Sequence, residues 1–334
     1  MCVANRINRS QTLLNLTLST SPLRSPGESV LVQRSNSSSK AAVERIDQTS
    51  SGSQIERTIT ESALPSYIVP GWTILHAAVR NGNTEGVKAA LAAGISPTCE
   101  TDDMAWTPLW VAACRGYLEI TEILLSAGAN ANGTTRDGRT AICEAANIGA
   151  TEIIELLIKH GADLELSHTE FADTPLINAA GKDHIAAFKV LLTAGANIRA
   201  SQIGGWTALH YALLNKNSEM AFMILKYSPD VNAATKGGVR ALHLVALAGM
   251  ASLVSLLLDM GAEIDAGDIN GLTALRVAVQ AGKLEMVKML AERGAKTDVV
   301  DGPQQHTLID IALMLGHTSV YLYLQKLSAD SRKP

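Results

Sequence analysis

Eight histidines and four cysteines are the residues of this chain best suited to proton transfer, nucleophilic attack or metal ligation. A catalytic or metal centre would draw three or four of them into one cluster. The sequence spreads them instead. His76, His210 and His243 stand in WTILHAAV, WTALHYAL and VRALHLVA, each three residues after the threonine or arginine of the segment. Trp110, Cys143, Asn178, Arg276 and Asp310 take the corresponding place in five further segments. Acid–base chemistry is not copied at fixed spacing and then exchanged for tryptophan. His184 and His317 share a second register, whereas His160, His168 and His306 fall in neither register. The five shared histidines, His76, His210, His243, His184 and His317, therefore read as structural, since a buried imidazole needs only one or two hydrogen bonds.

The remaining chemistry is as sparse. Cys2, Cys99, Cys114 and Cys143 form no C-x-x-C pair and read as free thiols of a reducing compartment. Phosphate-loop, nucleophile-elbow and H-E-x-x-H patterns are absent. Asp102 with Asp103 and Glu152 with Glu155 read as solvated faces of turns and helices. No activated nucleophile stands beside an oriented base. The expectation is a non-enzymatic protein with no cofactor and no metal. A net charge of −4 supplies no basic surface for nucleic acid. Between Arg240 and Asp259 the run ALHLVALAGMASLVSLLL has the length of a short membrane span, but His243, Gly249 and two serines interrupt it. It reads as a buried helix pair, so no membrane role is expected. The expected location is the cytoplasm, with the nucleus as the alternative. A mitochondrial presequence is the weaker reading of the acid-free first 27 residues.

The elements that position these residues follow from periodicity. WTILHAAVRNG, WTPLWVAACRG, RTAICEAANIG, DTPLINAAGKD, WTALHYALLNK, VRALHLVALAG, LTALRVAVQAG and HTLIDIALMLG align on Thr73, Thr107, Thr140, Thr174, Thr207, Arg240, Thr273 and Thr307, in steps of 33 or 34 residues. In each unit the threonine caps a first helix, and Pro108 and Pro175 sit where a missing N–H costs nothing. A glycine such as Gly116 or Gly149 ends that helix. A second helix carries an apolar stripe, as in Ile120, Ile123 and Leu124, and ends at a glycine suited to a left-handed cap. Asp137-Gly138 marks a turn or hairpin leading to the next unit. One such unit cannot bury its stripes, but a stack of them can.

These motifs resemble the ankyrin repeat family, whose signature is the T-P-L-H-x-A core at a 33-residue period, with Gly128-Ala129-Asn130, Gly161-Ala162-Asp163 and Gly195-Ala196-Asn197 matching its G-A-[DN] tail. The resemblance implies an all-α solenoid: stacked helix-turn-helix units with β-hairpin loops, preceded by a disordered tail. The expected organisation is a Ser/Thr-rich tail over 1–66, eight repeats over 67–327 with the last as a cap, and a flexible 328–334. Within the tail, SQIERTITESAL spaces Ile55, Ile59 and Ala63 for a short amphipathic helix. Arg240 replaces a capping threonine, and Asp183, Lys216 and Ser228-Pro229 replace glycines, so units four to six are expected to be softest.

The resemblance also implies a protein partner, met by the hairpins and first-helix ends on the concave side. The matching positions give Trp72, Arg80, Trp106, Arg115, Arg139, Lys182 and Trp206. Tryptophan and arginine are the side chains most often energetic at interfaces. The alternative is an inhibitor of a transcription factor or other signalling protein, with Ser21, Ser25, Ser35 and Ser37 of the tail open to phosphorylation. SSGSQ lacks the preceding aspartate of the degron known in such inhibitors, which counts against it.

Overall fold

The computed structural model describes residues 72–101, 104–166, 172–298, 300–301 and 306–330, all within one compact unit, Ile59–Pro334. The tail serines, the stretch around Ile55 and the expected boundary at 66 lie outside the described residues.

Sixteen α-helices and one two-stranded ribbon are formed by the described residues. The helices come in eight consecutive pairs. They are α1 Ile74–Arg80 with α2 Thr84–Ala92, α3 Pro108–Arg115 with α4 Leu118–Ser126, α5 Ala141–Ile148 with α6 Thr151–Lys159, and α7 Pro175–Gly181 with α8 Ile185–Thr193. There follow α9 Ala208–Leu214 with α10 Ser218–Leu225, α11 Ala241–Ala248 with α12 Ala251–Asp259, α13 Ala274–Gln280 with α14 Leu284–Glu292, and α15 Leu308–Met314 with α16 Thr318–Asp330. Each first helix packs on the first helix of the next pair. The apolar run after Arg240 is two helices, α11 and α12, parted at Gly249 with φ +76°. No helix among the described residues is long and apolar enough to cross a membrane.

The helix starts follow the sequence closely. Thr73, Thr107, Thr140, Thr174, Thr207, Thr273 and Thr307 each accept a bond from the backbone N–H three residues on. In the fourth unit that residue is Ile177, with Asn178 one position further; the register of Asn178 is corrected accordingly. Arg240 has no side-chain acceptor. The N–H of His243 bonds the Arg240 carbonyl instead at 3.1 Å, a tighter turn that replaces the cap. The guanidinium then donates to Gly267 O of the next loop at 3.1 Å. The missing cap is thus partly offset by a clip between units.

Between the pairs the chain forms hairpins. Thr134 bridges Thr140, Ser201 bridges Thr207 and Gly267 bridges Thr273, while β1 Val300–Asp301 pairs antiparallel with β2 His306–Thr307. Adjacent tips are tied by backbone bonds, Arg136 N to Met104 O at 2.8 Å, Lys236 N to Gly204 O at 2.8 Å and Ile269 N to Gly237 O at 2.9 Å.

Glycine matters most where a helix pair turns. Gly149 has φ +74°, and a Cβ there would lie 2.7 Å from His184 Nδ1 of the next unit. Where the sequence lacks these glycines the backbone keeps its left-handed turn: Asp183 has φ +67°, Lys216 +58° and Ser228 +48°. Ala105 and Ala172, two residues before a capping threonine, are held at +52° and +55°. Three of these five strained residues flank α8 to α10. Among the described residues the second helices pack closely on one another except on either side of α10.

Lys216→Gly should therefore raise stability by about 0.5–1 kcal/mol, the left-handed penalty less the extra chain entropy of glycine. Gly149→Ala should lower it by about 2 kcal/mol or more, through its backbone and the His184 ring. Urea unfolding checks both, and a destabilising Lys216→Gly would contradict the strain argument.

Candidate protein-binding face

The five shared histidines form two sets of bonds between units. In the first, each ring is held at both nitrogens. His76 Nε2 donates to Trp106 O at 2.7 Å, His210 Nε2 to Val239 O at 3.2 Å and His243 Nε2 to Leu272 O at 2.8 Å. A carbonyl only accepts, so Nε2 carries the proton and Nδ1 is an acceptor. Nδ1 of His76 and of His210 faces its threonine hydroxyl at 2.9 and 2.8 Å, and Nδ1 of His243 takes the Arg240 N–H at 3.1 Å. In the second set, His184 Nε2 donates to Asn147 O at 3.2 Å and His317 Nε2 to Gln280 O at 3.0 Å, each tying a second helix to the preceding unit.

This network needs neutral rings. Burial lowers the pKa of His76 and His243, and takes that of His210 down to about 4. Cys143 fills the same place in unit three, where its thiol reaches Leu166 O and Asp173 O at 3.8 and 3.7 Å. Burial pushes it up to about 12, which leaves it a neutral thiol. No group of three or more His, Cys, Asp or Glu among the described residues could hold a metal ion.

The hairpins and first helices carry a second face that is only partly exposed, since Ala77, Val111, Glu144, Leu244 and Ile311 on it are buried. Four positions of each unit share it: the residue before the capping position and those four, seven and eight after it. Arg80 lies over the Trp72 ring at 5.4 Å. Arg139 pairs with Glu144 at 3.4 Å, and Asn147 donates to the same carboxylate at 3.4 Å. Trp206 meets Tyr211 at 5.6 Å between ring centroids. A Cβ at Gly181 would meet the Tyr211 ring at 3.6 Å, so the face runs on from unit to unit.

Of the residues expected there, Trp72, Trp106 and Trp206 are half-buried, Arg80, Arg115 and Arg139 are exposed, and Lys182 is half-buried. Trp72, Trp106 and Trp110 form one aromatic ladder: Trp72 meets Trp106 edge-on at 5.8 Å, and Trp106 stacks on Trp110 at 5.2 Å. Trp206 stands apart from it, against His210 and Tyr211. Val239 and Leu272, which hold the position of these tryptophans in units six and seven, are buried. Exposed apolar residues stand at two hairpin tips, Ile203 in unit five and Ile269 in unit seven, the latter 75% exposed. Sequence reasoning missed both, although their spacing of four before the capping position is regular.

Asp173 belongs to the same face. One of its carboxylate oxygens is buried without a hydrogen-bond partner, and burial raises its pKa to about 6.

The geometry of paired helices, hairpins and shared histidines is matched by the family model for ankyrin repeats (three copies), over residues 59–135, 75–168, 118–202, 142–235 and 242–333. The chain belongs to the ankyrin repeat family. Its relatives carry ankyrin repeats in varied settings. The potassium channel AKT2/3 of Arabidopsis thaliana is 32% identical over 47% of this chain and 19% of its own length. The nuclear factor NF-kappa-B p105 subunit of Gallus gallus is 33% identical over 37% of this chain and 13% of its own. The B-cell lymphoma 3 protein homolog of Mus musculus is 29% identical over 42% of this chain and 41% of its own. This chain thus spans less than half of each relative. Ankyrin repeats are in general non-enzymatic modules of protein–protein interaction.

Two pH signatures follow. The folded pKa of His210 lies below its unfolded value of about 6.5, so its contribution is complete above that pH and is lost as pH falls toward 4. His210→Ala should cost about 2–3 kcal/mol more at pH 7 than at pH 4 in chemical denaturation; an equal cost at both would contradict a neutral buried ring. Asp173 has the opposite form. Its raised pKa destabilises the fold as pH rises from about 3.8 through about 6. Asp173→Asn should add about 1–2 kcal/mol at pH 7 and little at pH 4.

Proposed function

We propose that this ankyrin-repeat protein is a non-enzymatic scaffold that binds a partner protein through the concave face of its hairpins and first helices. Trp72, Arg80, Trp106, Arg115, Arg139, Lys182 and Trp206 contribute to that face. The observation that carries the reading is the half-buried pair Trp72 and Trp106, seated on the buried Trp110, with Arg80 over the Trp72 ring and Arg115 exposed in the next unit. The proposed compartment is the cytoplasm or nucleus.

A second reading, inhibition of a transcription factor or other signalling protein under control of the serine-rich tail, draws on the likeness to the p105 subunit and the B-cell lymphoma 3 homolog. Those likenesses cover 128 and 182 aligned residues, a minority of either relative.

Site-specific photocrosslinking tests the face. A crosslinker at Arg115 should capture partner proteins that one at Glu122, exposed on the outer helix α4, does not. Trp106→Ala with Arg80→Ala should abolish the capture. Capture from Glu122 alone would place binding on the other side of the stack.

A further inference from the structure

The chemistry of the binding face changes along the stack. At the positions seven and eight after the cap, where the first helices end, units one to four carry Arg80, Arg115 and Lys182, with no acid among them. The same positions in units five to eight are Leu214, Asn215, Leu247, Ala248, Gln280, Ala281, Met314 and Leu315, with no charge at all. The position four after the cap carries no cation in either half and is buried at Ala77, Val111, Glu144, Leu244 and Ile311, so the change in charge lies at positions seven and eight.

The acids of the first half do not neutralise it. Glu144 is buried and bound to Arg139, and Asp173 is half-buried. Arg80 is exposed above Trp72, and Arg115 is exposed without an ion pair among the described residues. At the far end Leu313 is 61% exposed and Met314 65% exposed.

Resting on the reading of this face as the protein-binding one, we infer that its occupant is an extended partner segment of fixed polarity. Acidic residues with an aromatic or aliphatic anchor lie over units one to four, and an aliphatic run lies over units five to eight. Arg80 over the Trp72 ring and the exposed Arg115 of the next unit call for carboxylates with an apolar anchor, because charge complementarity fixes register while the rings supply the buried area. Eight units spaced about 10 Å apart take roughly 20 extended residues. The chain's own first 58 residues fit poorly, with seven basic residues against four acidic. A nucleic acid strand fits less well. It needs free ring faces to stack on, but Trp106 lies against Trp110 on one side and Trp72 at the other, and Trp72 carries Arg80. The rings are also packed too closely to enclose an ammonium group between them.

Display selection of random 20-residue peptides on the full chain tests the inference, with synthetic copies of the enriched peptides titrated by fluorescence anisotropy. The enriched peptides should hold an acidic cluster segregated from an aliphatic run. Their affinity should fall at least tenfold with Arg80→Glu and Arg115→Glu together, and fall with added salt for the unmodified chain. Met314→Asp should weaken them while leaving the salt dependence in place. Enrichment of neutral or basic peptides, or affinity indifferent to both salt and charge reversal, overturns the inference. So does tighter binding of a 20-nucleotide oligo-dT strand. If photocrosslinks still map to Arg115 in those cases, only the partner chemistry is wrong; if they map to Glu122, the face itself is.

Discussion

No helix pair in this chain can bury its own apolar stripe, and the fold is organised around that constraint. The first helices are seven or eight residues long, well below the length at which an isolated helix holds in water. Their stability comes from the next unit. The residue six after the capping position shows this most clearly. Val79, Ala113, Ala146, Ala180, Leu213, Ala246 and Val279 are all buried under a neighbour, and the matching Leu313 of the last unit is exposed. The histidine-to-carbonyl bonds work across the same joints. They give the Trp106, Val239 and Leu272 carbonyls, each already bonded to an N–H of its own hairpin, a second donor from the preceding unit, and so fix how far one hairpin stands from the next.

Such a division of labour leaves the ends of the first helices free to vary. Positions two, six and fourteen after the cap are spent on the joints and stay apolar or small in nearly every unit. Positions seven and eight after the cap stay half-open or exposed in every unit. In unit one they are Arg80 and Asn81, in unit three Asn147 and Ile148, and in unit seven Gln280 and Ala281. A fold stabilised by nearest-neighbour terms can change this stripe unit by unit without rebuilding its core. The gradient from cationic and aromatic to aliphatic is therefore not imposed by the core.

What the sequence made legible was local and periodic. The capping threonines, the glycines of the turns and the broken apolar run at Gly249 all depend on residues within one unit, and the structure places them as their spacing implies. What it hid depends on contacts 27 or more residues apart. That Arg240 trades a cap for a clip onto Gly267 is set by where the next loop passes. That Val239 and Leu272 turn inward where Trp72 and Trp106 lie half-open is set by the neighbouring hairpin. The one-residue offset between Ile177 and Asn178 shows how easily a repeat register slips when a polar side chain stands beside the expected position.

The fifth unit shows how the joints and the face meet. Lys216 and Ser228 hold left-handed turns without glycine, and α10 packs less closely on both its neighbours than other second helices do. Trp206 and Tyr211 of that unit also mark the change from the cationic half of the face to the aliphatic half. In a one-dimensional stack the weakest joint sets where the array opens, because each unit is held only by those beside it. A ligand confined to either half adds nothing to that joint. One that spans both halves favours the closed arrangement by its differential affinity, and so couples the two ends of the stack through the unit least able to hold itself.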